Sequence, residues 1–124
     1  MPVLIDSDIL IEVSRGRDQD ILERWREMAE SESVPLCLPV SVAELWHGAL
    51  PAERVMLNEL FATITCVPID LEVGEQAGVF LRQFAKSHNV ELGDALIAAT
   101  AVVHNARLWT RNRRHYPMKE IVFY

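Results

Sequence analysis

The chain has 124 residues, half of them hydrophobic, which is enough apolar material for the core of one globular domain. No apolar stretch reaches the roughly 18 residues that a membrane-spanning helix needs, and no basic segment precedes the first apolar run, as it would in a signal peptide. The formal net charge of −6 argues against non-specific binding of nucleic acid by the whole surface. We therefore expect one cytoplasmic domain spanning residues 1–124, with no membrane partner.

Short apolar runs alternate with longer amphipathic ones in chain order. The runs that predict strands are 2–6, 35–40, 64–69 and 107–110, with a fifth at the edge over 121–123, and those that predict helices are 9–13, 18–31, 41–50, 52–62, 70–86 and 93–105. This alternation predicts a three-layer α/β/α domain with a central parallel sheet of four to five strands. In such a sheet, the strand ends and the starts of the following helices share one edge, where ligands bind.

Three carboxylates stand in or beside apolar runs and fall on that predicted edge. Asp6 ends the first strand, Glu44 lies in the first turn after the second, and Asp94 lies in the first turn of the helix that leads to the fourth. An ionised carboxylate out of water is costly without a positive partner, so the three together predict a site for Mg²⁺ or Mn²⁺. Taken singly, Glu44 could close a capping box with Ser41, Asp94 could be a plain N-cap, and Asp6 could be a turn residue.

The remaining charges and the cysteines carry less information. Cys37 and Cys66 form no CxxC motif, and we expect both to be reduced, buried hydrophobic residues. The four histidines have no zinc-type spacing. Residues 107–119 include five basic side chains and no acid, which leaves −11 on the rest of the chain. This strip fits an enzyme that binds phosphate beside a metal, and it fits an ordinary solvated face equally well.

Four segments together resemble a known family. Ile5-Asp6-Ser7, Glu44 on an early helix, the run from Leu92 to Ala101 that contains Asp94, and Trp109-Thr110-Arg111-Asn112 look like PIN-domain ribonucleases, most closely the VapC-type toxins of toxin–antitoxin pairs. The resemblance covers essentially the whole chain. It implies a Mg²⁺- or Mn²⁺-dependent endoribonuclease that cuts single-stranded or tRNA-like RNA. It also implies a homodimer and a cognate antitoxin that inserts a peptide near the active site.

The resemblance assigns roles to individual residues. Asp6, Glu44 and Asp94 occupy the acidic positions that bind metal and catalyse cleavage. The family's fourth acidic position falls on Asn112 or His115, so one firmly held ion is expected. Supporting roles fall to Ser7, Asp8, Thr110 and Asn112, and RNA phosphate is expected at Arg111, Arg113 and Arg114.

Two tryptophans and two other protein classes complete the expectations. Trp25 and Trp46 have the spacing of core residues, although an antitoxin or a second subunit could also use them. Asp6-Ser7-Asp8 fits a haloacid-dehalogenase-like phosphatase, which would need a basic residue, such as lysine, and further acids later in the chain. A receiver-type signalling domain would instead use Asp70, after the third strand, as a phosphate acceptor.

Overall fold

A fully parallel four-stranded sheet forms the centre of the fold. The structure, a computed structural model, describes all 124 residues. The strands are β1 (Val3–Ile5), β2 (Pro35–Cys37), β3 (Thr65–Cys66) and β4 (Arg107–Trp109), in the order β3-β2-β1-β4. Beyond β4, Phe123 adds a single parallel bridge to Leu108, so the predicted fifth strand is reduced to one bridge at the edge.

Six α-helices cover the sheet. They are α1 (Ser7–Arg15), α2 (Gln19–Glu30), α3 (Pro39–Gly48), α4 (Arg54–Ala62), α5 (Leu71–Phe84) and α6 (Leu92–Val103), with 3₁₀ turns at Pro51–Glu53 and Arg113–His115. None of them is long and apolar enough to cross a membrane.

Alternation along the strands divides the core between the two faces of the sheet. Leu4 and Leu108 belong to a cluster that includes α5 and α6, whereas Ile5 and Trp109 belong to a second cluster that includes residues of α1 to α4. Both faces are buried, as expected for short strands that are apolar throughout. The predicted three-layer α/β/α architecture is confirmed.

The junction between β2 and α3 differs from the prediction. The helix begins at Pro39, because proline suits the first helical position and its missing N–H is not needed there. Ser41 lies inside the helix, where its N–H donates to the carbonyl of Leu38 at 3.0 Å and its hydroxyl is buried without a partner. The predicted capping box between Ser41 and Glu44 is therefore wrong. Glu44 lies in the second helical turn and is exposed.

The two cysteines face each other across neighbouring strands. Cys37 of β2 is in register with Cys66 of β3, and both are free thiols. Burial, followed by the proximity of Cys66, raises the pKa of Cys37 to about 12, so its thiol stays protonated at neutral pH. The prediction that Cys66 is buried is wrong, because β3 is a two-residue edge strand with both residues exposed.

Candidate active site

One acidic cavity of about 340 Å³ lies at the C-terminal edge of the sheet. It brings together Asp6, Glu44 and Asp94, which are far apart in the sequence, and adds Asp8 and Glu91. Its wall contains no lysine, arginine or hydrophobic residue. The ten lining residues are Asp6, Ser7, Asp8, Glu44, His88, Asn89, Glu91, Asp94, Asn112 and His115.

Asp6 is the most constrained carboxylate of the cavity. It caps α1, which begins earlier than predicted, and its Oδ1 accepts a hydrogen bond from the Ser7 backbone N–H at 2.7 Å. Its Oδ2 accepts two more, from the Thr110 hydroxyl at 2.8 Å and the Tyr116 hydroxyl at 2.7 Å. These three donors hold the carboxylate of a residue that is only 8% exposed.

Asp8 holds the turn that follows β4. Its Oδ2 accepts the backbone N–H of Arg111 at 2.9 Å and the side-chain amide of Asn112 at 3.2 Å. The Thr110 hydroxyl lies 3.5 Å from the same oxygen, but its one proton is directed to Asp6 at the shorter distance. Asp8 is thus a further carboxylate, in contact with Asn112, one of the two residues at which the family's fourth acidic position is expected.

Two further contacts position the other predicted acids. The Ser7 hydroxyl donates to Glu44 Oε1 at 3.0 Å, which links α1 to α3 across the cavity. Asp94 is the third residue of α6 and Glu91 is its N-cap, so the interpretation of Asp94 as a plain N-cap is wrong. The Oδ1 atom of Asp94 lies 4.0 Å from His115 Nδ1, and the two form an ion pair only when the histidine is protonated.

Burial raises the pKa values of two carboxylates of the cavity, and neighbouring carboxylates add to the effect. Burial, and next the charge of Asp6, raise the pKa of Asp8 above its usual value of 3.8, against the hydrogen bond from Arg111. Burial is also the largest cause of the raised pKa of Asp94, opposed by a hydrogen bond with the Glu91 backbone and by His115. The cavity therefore concentrates negative charge that its own walls do not neutralise.

The three arginines assigned to RNA phosphate do not line this cavity. The Arg111 guanidinium pairs with Glu12 of α1 at 3.5 Å. Arg113 lies over the ring of Phe123, 4.8 Å from its centroid. Arg114 is exposed, makes no ion pair and lies over no aromatic ring, so it alone of the three has no side-chain partner.

Four residues at or behind the cavity have no role in the sequence reasoning. His88, Asn89 and Glu91 reach it because the loop between α5 and α6 turns there, with Asn89 in the left-handed region at φ 54°. The asparagine itself was the one available signal, since Asn tolerates this conformation better than most residues. Tyr116 reaches Asp6 from 110 positions away in the sequence, and no local pattern predicts such a contact.

The donor chemistry of the cavity fits a hard divalent cation. Carboxylate oxygens are the ligands that Mg²⁺ and Mn²⁺ prefer, and Asp8 Oδ1 is buried without any hydrogen-bond partner. No three His, Cys, Asp or Glu side chains converge as a preformed ligand cluster. A cavity of about 340 Å³ has room for an ion that keeps several of its waters, which is the usual state of protein-bound Mg²⁺.

The competing sites do not form. Asp70, the expected phosphate acceptor of a receiver domain, is an exposed N-cap that accepts the Val73 N–H at 3.0 Å and does not line the cavity. No lysine lines it either, as a haloacid-dehalogenase-like phosphatase would require. Trp25 and Trp46 are half-buried against the cluster that includes α1 to α4, as core spacing predicts.

A parallel α/β/α sandwich with acids from three helices gathered at the strand ends defines the class of the protein. The PIN domain profile matches residues 3–121, and the chain belongs to the PIN-domain family. Ribonuclease VapC10 of Mycobacterium tuberculosis is 38% identical over 95% of this chain and 88% of its own length.

Solved structures share the same fold. The structure of VapBC2 from Rickettsia felis, bound to a DNA fragment from its promoter, superposes with a TM-score of 0.85 at 16% identity, covering 100% of this chain and 98% of the other. A toxin–antitoxin complex from Klebsiella pneumoniae gives a TM-score of 0.74 at 23% identity, covering 97% and 95%. The predicted family resemblance is confirmed.

Proposed function

We propose that this protein is a metal-dependent endoribonuclease, the toxin of a type II toxin–antitoxin pair, which hydrolyses phosphodiester bonds of cytoplasmic RNA. The observation that carries the proposal is the cavity lined by five carboxylates and by no lysine or arginine. Such a cavity suits a divalent cation and, through it, a phosphate. Membership of the PIN-domain family and similarity to a protein named as a ribonuclease support the same activity.

In this proposal, each acid of the cavity has a role in binding the metal, orienting water or holding the site in place. Asp6 and Asp94, with Glu44 directly or through a water, would hold Mg²⁺ or Mn²⁺. When bound, such an ion lowers the pKa of a coordinated water and offsets charge on the phosphate. Glu44 or Asp94 would orient the attacking water, and the hydrogen bond from Ser7 fixes Glu44 for this task. Asp8 keeps the turn that carries Thr110 and Asn112 in place.

RNA phosphate outside the cavity requires basic side chains on its rim. Arg114 is best placed by its free charge, whereas Arg111 would have to leave Glu12 and Arg113 would have to leave the Phe123 ring. The substrate class that fits is single-stranded or loop RNA. An exposed phosphodiester can enter a cavity of this size more readily than the backbone of a stacked duplex can.

An antitoxin and a second copy of the toxin are the proposed partners. The solved complex from Klebsiella pneumoniae supports a toxin–antitoxin pairing. The helices around Trp25 and Trp46 offer half-buried aromatic surface, next to the exposed apolar side chains of Leu50, Val55 and Met56. Quenching or shift of tryptophan fluorescence on adding antitoxin would support this surface, and unchanged fluorescence would argue against it.

The activity is tested with pooled tRNA and a single-stranded oligoribonucleotide as substrates. We expect cleavage with Mg²⁺ or Mn²⁺, none with EDTA, and none from Asp6→Asn or Asp94→Asn, because each removes a charged ligand. Asp70→Asn makes the same charge change at an exposed cap outside the cavity and should cleave like the wild type. Cleavage that survives EDTA, or full activity in Asp6→Asn and Asp94→Asn, would contradict the proposal.

A further inference from the structure

The hydroxyl of Tyr116 has one partner, and that partner is the carboxylate of Asp6. The two side chains meet at 2.7 Å, and both residues are buried, with 3% and 8% of their surfaces exposed. The tyrosine ring lies in the hydrophobic cluster that includes α5 and α6, and this packing needs no hydroxyl. A buried hydroxyl is costly unless it is hydrogen-bonded, so the bond to Asp6 accounts for a hydroxyl at this position.

Counting hydrogen bonds distinguishes the two oxygens of Asp6. Oδ2 accepts from both Tyr116 and Thr110, which occupies its two lone pairs. Oδ1 accepts only the Ser7 N–H and retains one lone pair. Asp6 lines the cavity and Tyr116 does not. Oδ2, which accepts two hydrogen bonds, is therefore held from the protein side.

The phenol remains a donor at neutral pH. Tyrosine hydroxyls are protonated at neutral pH, so this hydroxyl donates and Asp6 Oδ2 accepts. A protonated hydroxyl beside an ionised carboxylate makes a charge-assisted hydrogen bond, which is shorter and stronger than a neutral one.

We propose that Tyr116 is a positioning residue, which holds Asp6 through Oδ2 so that Oδ1 is left to bind a divalent cation. The inference rests on the proposed function, since it assigns a task within the same metal site. Groups that orient a metal ligand typically change metal affinity or activity by 10–100-fold when they are removed.

The test compares Tyr116→Phe with Tyr124→Phe, which removes the hydroxyl of the only other tyrosine. Tyr124 packs on Trp109 and its hydroxyl makes no contact with the acids of the cavity. Mn²⁺ alone is titrated into each protein by calorimetry. We expect Tyr116→Phe to bind Mn²⁺ about tenfold more weakly and Tyr124→Phe to match the wild type. With an oligoribonucleotide, Tyr116→Phe should lower kcat and leave KM unchanged, because the RNA does not touch Tyr116. Circular dichroism checks that both variants are folded.

A second step shows whether Tyr116 acts through Asp6. In an Asp6→Asn background, Tyr116→Phe should cause no further loss of Mn²⁺ affinity, because the ligand that it positions is already impaired. The same tenfold loss in that background, or a Tyr116→Phe variant that binds Mn²⁺ like the wild type, would overturn the proposal while leaving the nuclease assignment intact. A wild type that neither binds Mn²⁺ nor cleaves RNA would overturn both.

Discussion

At the scale of single residues, the cavity has five carboxylates and no lysine or arginine to balance their charge. Asp6 is provided with three hydrogen-bond donors, whereas Asp8 Oδ1 is buried with none. Asp8 and Asp94 both have raised pKa values, with burial as the largest cause. Ionising these acids at neutral pH therefore costs stability, and a bound cation would offset that cost.

This cost predicts that Asp94→Asn stabilises the metal-free protein. Because the folded state raises the pKa of Asp94, the favourable contribution of this group is complete below the unfolded value of 3.8 and is lost as pH rises through the raised pKa. In EDTA at pH 7, the asparagine variant should melt a few degrees above the wild type. Near pH 3.8 and below, the difference should shrink, because the wild-type carboxyl then becomes protonated too.

Thermal unfolding followed by circular dichroism measures this difference. Asp70→Asn serves as the control, since it changes the same charge at an exposed helix cap and should not show the pH-dependent gain. A lower melting temperature for Asp94→Asn at pH 7 would show that the raised pKa does not govern its stability. The variant would then owe its inactivity partly to loss of folding.

At the scale of elements, the end of α1 depends on one backbone conformation. Gly16 terminates the helix in the left-handed region at φ 66°, and its N–H donates to the carbonyl of Glu12 at 2.8 Å. An added Cβ would meet no atom within 4 Å, so only backbone strain opposes a side chain there.

Gly16→Ala should therefore destabilise the protein by about 1–2 kcal/mol, the cost of a left-handed non-glycine residue. Gly78 in α5 offers the matched control, because it too has nothing within 4 Å but a helical backbone. Gly78→Ala should stabilise by about 0.5–1 kcal/mol. Urea unfolding of the two variants gives both values, and equal signs would refute the backbone explanation.

The sequence was informative about which elements exist and less so about where they begin. The six helices and four central strands all follow from hydrophobic periodicity, whereas the start of α3 was misplaced by two residues. Two local signals competed there, Pro39 at the first helical position and the Ser41–Glu44 capping pattern, and the proline determined the start. The length of β3 was overestimated. The predicted strand 64–69 included apolar residues that lie in the loops on either side of this two-residue edge strand.

The acids could be placed from the sequence, and their hydrogen-bond partners could not. The C-terminal ends of parallel strands share one edge of the sheet. Once the topology was predicted, the shared location of Asp6, Glu44 and Asp94 could be predicted too. Tyr116 and the loop that carries Asn89 depend on how the chain folds back after β4 and α5. These contacts are set by packing across the whole fold and leave no periodic trace in the sequence.

At the scale of the whole molecule, net charge and local charge act in opposite directions on RNA. A protein of net charge −6 repels a polyanion at long range, so productive binding depends on a few basic groups near the cavity. The structure reduces the predicted basic strip to a smaller effective set. Arg111 is paired with Glu12 and Arg113 covers Phe123, which leaves Arg114 and Lys119 exposed and outside any ion pair.

This distribution predicts an unequal effect of removing each arginine. Each phosphate contact with single-stranded nucleic acid contributes a slope of about −0.7 to the dependence of log affinity on log salt. Arg114→Gln should therefore weaken binding of a labelled oligoribonucleotide and reduce the slope by about 0.7, measured by anisotropy in EDTA at several KCl concentrations. Arg111→Gln should have a smaller effect, because in the wild type its charge is already partly neutralised by Glu12. Arg82→Gln, on the exposed surface of α5, makes the same charge change outside the basic strip 107–119 and should leave the slope unchanged. Equal slopes for Arg114→Gln and Arg82→Gln would contradict a phosphate contact at Arg114.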